Sequence, residues 1–353
     1  MRFGAHFSLL KHRLINRQYF RWKLTNIREI QMNISANKHI KIGVCYILIF
    51  NLLSGIQGVY LSELLQNVNL FATIAITFFF VSMFFIIALP FKKPQSYHKS
   101  RTVNLKNIIG LNIATAGSWI GFFTALKYIE PAVVSALANA VGPLLTLFIT
   151  VLIIKSDKLT RGQILSALGV LFFMLLIINS TMSHSITTEA FVFTNSIFGV
   201  IMAIVCGLSM VMNTIFSKKL NEEGVLPHEI MAFRFILIIV VSGAAAGFDT
   251  LIETIQDYGF PLLLVAFLGN VIPLYFLQLG ISKVPPLIVS NCLVIAPLFY
   301  FLLQQFSERI SFSVETLFCI LGSLICIISS IITKSTDKNA KQQSQKLSIS
   351  KSN

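Results

Sequence analysis

ALKYIEPAVVSALANAVGPLLTLFIT, residues 125–150, and LGISKVPPLIVSNCLVIAPLFYFLLQ, residues 279–304, align without a gap. Pro131 falls on Pro285, Pro143 on Pro297 and Leu144 on Leu298. In each, a short loop leads into a long apolar run. A polar hairpin follows, Lys155 to Arg161 in one case and Ser307 to Ser311 in the other, and then one further apolar run. The two stretches therefore sit at matching places in two halves of the chain, as an internal repeat requires.

A helix rises about 1.5 Å per residue and the hydrocarbon core of a bilayer is about 30 Å thick, so roughly 20 mostly apolar residues cross it. Segments that meet this need lie near 43–61, 68–91, 107–127, 132–154, 162–180, 192–216, 229–248, 259–281, 286–305 and 312–333. The first carries Asn51, Ser54 and Gln57, and the seventh carries Arg234. Five spans per half is an odd number, so the second half enters the membrane from the opposite face and the repeats are inverted. The expected fold is an all-α polytopic membrane protein with ten transmembrane helices as two inverted five-helix repeats. The short alternating strands of a β-barrel are absent from the sequence.

Composition agrees. Of 353 residues 55% are hydrophobic and 12% charged, with a mean hydropathy of +0.78. Soluble domains carry about 25% charge. The formal net charge of +14 suggests nucleic acid, but the basic residues follow the spans and form no basic domain. All of the 28 Lys and Arg except Lys127, Arg309 and Arg234 fall on one side of the ten-span arrangement. Basic residues near spans stay in the cytoplasm, which places both termini there. The expected location is the cell (inner or plasma) membrane.

The chain holds no expected metal site, cofactor site or catalytic constellation. Cys45, Cys206, Cys292, Cys319 and Cys326 all lie in expected spans without ligand-like spacing. No span carries Asp or Glu well inside it, there is no phosphate-cradling glycine loop, and His184 and His228 stand singly in or near loops. An enzyme is not expected. Residues 1–40 form a basic cytoplasmic extension whose first part has three open readings: a surface-lying amphipathic helix, a targeting segment, or a disordered or overlong start. Residues 334–353 read as a disordered cytoplasmic tail.

The run 122–175, with ALKYIEPAVVSAL, a Gly-Pro before an apolar helix, the polar hairpin and LTRGQILSALGVLFF, resembles the EamA-type repeat of the drug/metabolite transporter superfamily. The second half is similar through MAFRFILIIVV, LGISKVPPLIVSN and SERISF. The resemblance implies a first repeat over 41–181, a second over 190–333 and a central substrate cavity. It also implies a permease or exporter of a small metabolite working by alternating access. The fourth helix of the second repeat has Ala296-Pro297 where the family often has Glu-Pro, and the first hairpin offers only Asp157. The Arg-Phe of the seventh helix has no counterpart in FATIAITFFFVSMFF. These departures weigh against proton coupling through a membrane carboxylate.

Arg234 is the one formal charge inside a span, and such a charge costs several kcal/mol unless paired or wetted. It is a candidate for binding an anionic group; snorkelling, or pairing with Glu229, is the alternative. Asn112, Trp119, Asn139, Asn270, Tyr275, Gln278 and Asn291 are further substrate-binding candidates, because buried amides and polar rings need partners. Helix-to-helix hydrogen bonds would satisfy them equally. Pro143 and Pro297 are candidate helix kinks beside the cavity. Gly117-x-x-x-Gly121 and Gly243-x-x-x-Gly247 read as close helix-packing sites. The expected partners are a small-molecule substrate and the lipid bilayer, with no nucleic acid, and a homodimer is compatible. Uptake or exchange of a nucleotide-like metabolite suits the same fold. A lipid flippase or scramblase, a membrane-embedded transferase and a non-transporting scaffold are the rival classes.

Overall fold

The computed structural model describes residues 39–88, 104–149, 161–186, 190–307, 310 and 312–329. The extension before residue 39, the hairpin from Lys155 and the tail after residue 329 lie outside them. Every described element is helical. In chain order these are α1 (His39–Leu64), α2 (Leu70–Ala88), α3 (Leu105–Tyr128), α4 (Pro131–Ile149), α5 (Arg161–Ile186), α6 (Ala190–Glu222), α7 (Pro227–Phe233) and α8 (Ile236–Ala246). They continue with α9 (Phe248–Leu264), a π-helical stretch at Val265–Val271, α10 (Ile272–Lys283), α11 (Pro286–Leu293), α12 (Ala296–Gln304) and α13 (Val314–Ser329). Among the described residues seven helices are long and apolar enough to cross a membrane, and three further apolar helices, Pro131–Gly142, Asn291–Gln304 and Val314–Ser329, are shorter.

Helix ends follow local chemistry. Asn104 caps α3 by accepting from the Lys106 backbone N–H at 3.0 Å. Prolines open α4 and α7 in the first turn, where their missing N–H has no intrahelical partner to lose. The Glu229 carboxylate accepts from the Leu226 backbone N–H at 2.8 Å and closes the start of α7. Gly247, at φ 81°, ends α8 in a backbone region that other residues avoid.

Three expected spans are reshaped. The seventh is not continuous, since it breaks at Arg234 and Phe235 into α7 and α8. The ninth breaks at Val294 and Ile295, just before Pro297, which has no N–H to continue the ladder. The eighth starts at Phe248 rather than near 259 and runs to Lys283 as 36 helical residues. At 1.5 Å per residue that is roughly 54 Å, longer than the hydrocarbon core is thick.

The bundle is packed by aromatic rings inside and left apolar outside. Phe78 of α2 stacks on Phe235 at 5.1 Å and meets Trp119 of α3 at 5.0 Å. On the outer surface Leu165 is 72% exposed and Ile325 67% exposed, as a lipid-facing surface allows and an aqueous one does not. Small residues bring backbones together. A Cβ on Gly121 of α3 would press on the Met202 carbonyl and on Cys206 of α6, and one on Gly117 would overlap Ser209. Gly243 and Gly247, expected to pack in the same way, would place a Cβ with nothing within 4 Å of it among the described residues. That spacing alone did not place a neighbour there.

Candidate functional site

A cavity of about 740 Å³ of atom-free space, open solvent at its mouth included, lies among the helices. Phe50 and Ser54 come from α1, Trp119 and Phe122 from α3, and Ser135 and Asn139 from α4. Cys206, Asn213 and Thr214 come from α6, Leu277 from α10, and Ala296 and Tyr300 from α12. Arg234 joins them from the break between α7 and α8. Apolar walls with a few polar groups and one charge make the kind of pocket that takes a small ligand.

Arg234 is 3% exposed. Its Nη2 donates to Asn213 Oδ1 at 2.8 Å, its Nη1 to Gln278 Oε1 at 3.4 Å, and its Nε to Thr115 Oγ1 at 3.4 Å. The Met231 sulfur lies 3.8 Å from Nη1, and the Phe235 ring centroid lies 5.5 Å from the guanidinium carbon. These partners are neutral, so the guanidinium is solvated by dipoles and a ring. Asn213 organises them. Besides receiving Arg234 it accepts from Thr115 Oγ1 at 3.1 Å, and its own amide donates to Ser118 Oγ at 3.2 Å.

The helix break that puts Arg234 here is itself bridged. Breaking a helix frees a carbonyl and an N–H, and both must find partners inside a membrane. The Asn112 amide donates to the Phe233 carbonyl at 3.1 Å, and its oxygen accepts from the Leu237 backbone N–H at 3.3 Å.

Of the residues singled out in the sequence, Arg234, Trp119 and Asn139 line the cavity. Gln278 is fully buried behind Arg234, and Asn112 holds the break. Asn270 belongs to the π-helical stretch, where its amide donates to the Val265 carbonyl at 3.0 Å. Tyr275 packs on Phe85 with ring centroids 5.9 Å apart. Asn291, on α11, is half-buried, and neither Tyr275 nor Asn291 lies among the cavity-lining residues. Pro297 stands in the first turn of α12. Pro143 falls within α4, but its side chain is outside the described part.

The sequence reading missed Asn213, Ser54 and Tyr300. Ser54 and Tyr300 share a hydrogen bond of 2.8 Å that ties α1 to α12. The signal for Ser54 was present: Asn51, Ser54 and Gln57 lie three apart on one helical face, and all three are buried. Asn213 was a single amide near the end of a long apolar helix, and only the position of Arg234 gives it meaning.

Among solved structures, one whose title says only that it is the crystal structure of a protein aligns with a TM-score of 0.54 at 14% identity. The alignment covers 84% of this chain and 97% of that one, and the likeness is one of fold. No curated protein matches the chain. The model of the EamA-like transporter family matches residues 41–179, which points to a membrane transporter and agrees with a place in the drug/metabolite transporter superfamily.

Proposed function

We propose that the chain is a ten-span permease that moves a small metabolite across the cytoplasmic membrane by alternating access. Two inverted five-helix repeats, 41–181 and 190–333, rock about the central cavity, and both termini are cytoplasmic. Substrate touches Arg234, Trp119 and Asn139 together with Ser54, Asn213 and Tyr300. Asn112 and Gln278 position Arg234, while Asn270, Tyr275 and Asn291 serve helix contacts. The bends at Pro143 and Pro297 shape the walls.

The single observation that carries this reading is the cavity itself, drawn from helices of both halves around one buried cation. Reciprocal contacts support the inverted halves. Gly121 of α3 packs on α6, and Gly280 of α10 packs on Ile47 and the Gly43 carbonyl of α1. Gly207 of α6 meets the Ala138 carbonyl of α4, and Gly58 of α1 meets Tyr300 of α12. The first helix of each half thus receives the third and fourth of the other. The two fourth helices also meet head to tail, since the Ala132 backbone N–H at the start of α4 donates to Gln304 Oε1 at the end of α12, at 3.0 Å.

The test is an untargeted metabolite comparison of cells and medium with and without the protein. Radiolabelled flux of each compound that changes is then measured in proteoliposomes. Saturable flux of at least one is expected; its absence for all of them contradicts the permease reading.

A further inference from the structure

The cavity's charge and walls narrow the ligand class, and the narrowing rests on reading this cavity as the substrate site. We infer that the site takes an organic monoanion, a carboxylate carried on an apolar and preferably aromatic body.

Charge balance comes first. Arg234 is the one charged side chain among the described residues that line the cavity. A single negative group neutralises it and turns a buried cation into a buried pair. A phosphate monoester carries about −1.5 to −2 at neutral pH, so one guanidinium leaves a second buried charge without a partner. An ammonium group, alone or in a zwitterion, meets no lining carboxylate and is repelled by Arg234.

Donor capacity agrees. A guanidinium has five N–H groups. Here they meet three oxygen acceptors, Asn213, Gln278 and Thr115, and one weak sulfur acceptor, Met231. The nitrogen of the same Gln278 amide, Nε2, is buried behind Arg234 and has no hydrogen-bond partner among the described residues. Of the five guanidinium N–H groups, one on Nη2 has no acceptor among these four and is left for an oxygen of a carboxylate.

The walls set the rest of the molecule. Trp119 meets Phe122 edge-on at 5.7 Å, and Phe122 meets Tyr300 edge-on at 6.4 Å. With Phe50 these rings line the same space as Arg234 and make that part of the wall aromatic.

The chain has two tryptophans, Trp22 and Trp119, so a Trp22→Phe protein reports from the cavity wall alone. Its fluorescence is titrated in detergent with phenylacetate, phenyl phosphate, phenethylamine and phenylalanine, which share a ring and differ in headgroup charge. Phenylacetate should give a saturable change at least tenfold tighter than the other three. Arg234→Gln and Asn213→Asp should each weaken it tenfold or more, and the second variant keeps the guanidinium in place should the first fold poorly. Equal or tighter binding of phenyl phosphate, phenethylamine or phenylalanine overturns the inference, as does no saturable response to phenylacetate or undiminished phenylacetate binding in a folded variant. Phenylacetate binding in a protein that moves no compound in proteoliposomes would sink the permease reading and leave the ligand class standing. Flux of a cation or zwitterion that Arg234→Gln leaves unchanged would do the reverse.

Discussion

Arg234 Nη2 donates to Asn213 Oδ1 across 2.8 Å, and the two residues are each more than nine-tenths buried in the middle of the bundle. A guanidinium held by a neutral amide keeps its full charge available. A carboxylate in the same place would consume it. The choice of Asn over Asp at position 213 therefore decides whether the cavity can attract an anion.

Asn213→Asp should convert this contact into an ion pair of the same geometry. The protein should insert and remain folded, because a buried cation gains a counter-charge. Anion-dependent flux should fall at least tenfold. Flux per folded protein, with folding followed by size-exclusion chromatography, checks this.

Asn112→Ala should destabilise the protein by about 1–3 kcal/mol, the cost of leaving backbone groups unpaired within a membrane span, because the Phe233 carbonyl and the Leu237 N–H lose the amide that bridges them. Asn112→Ser, too short to reach both, should fall in the same range. Denaturation midpoints of the two variants in detergent provide the measurement, and a wild-type midpoint for both would contradict the bridging role.

How far the sequence could be read depended on whether a feature was local. The apolar runs, the proline at the start of α12 and the Gly117 and Gly121 contacts follow from residue type and spacing. The break at Arg234 does not, because no proline or glycine marks it; it depends on Asn112 standing opposite, 121 residues from Phe233 in the chain. Likewise Gly243 looked like a packing glycine by spacing, and only the third dimension shows that no described residue comes within 4 Å of where its Cβ would stand. Arg234 was visible as an anomaly, whereas the residues that solvate it, Asn213 and Thr115, were ordinary until they met it.

The two glycine motifs give opposite expectations. Gly121→Ala should destabilise by about 1–3 kcal/mol, since the new methyl meets the Met202 carbonyl and the Cys206 backbone. Gly243→Ala should be neutral or stabilising by up to about 1 kcal/mol, because open space surrounds it and alanine favours the helix. Thermal unfolding of the pair in one detergent distinguishes the two sites.

Orientation is tested by single cysteines in a cysteine-free background. Asn67 and Gln256, both exposed, should react with a membrane-impermeant maleimide in intact cells. Glu222, also exposed, should react only after permeabilisation. A reversed pattern at any of the three would overturn the ten-span arrangement with cytoplasmic termini.

Flux normalised to folded protein in Arg234→Lys and Arg234→Ala separates an Arg234 that binds substrate from one that only stabilises the bundle. A planar two-pronged donor cannot be replaced by a point charge, so Arg234→Lys should insert normally yet lose most of its flux, and Arg234→Ala should be inactive while still reaching the membrane. Unchanged normalised flux in Arg234→Ala would show that substrate does not bind at Arg234.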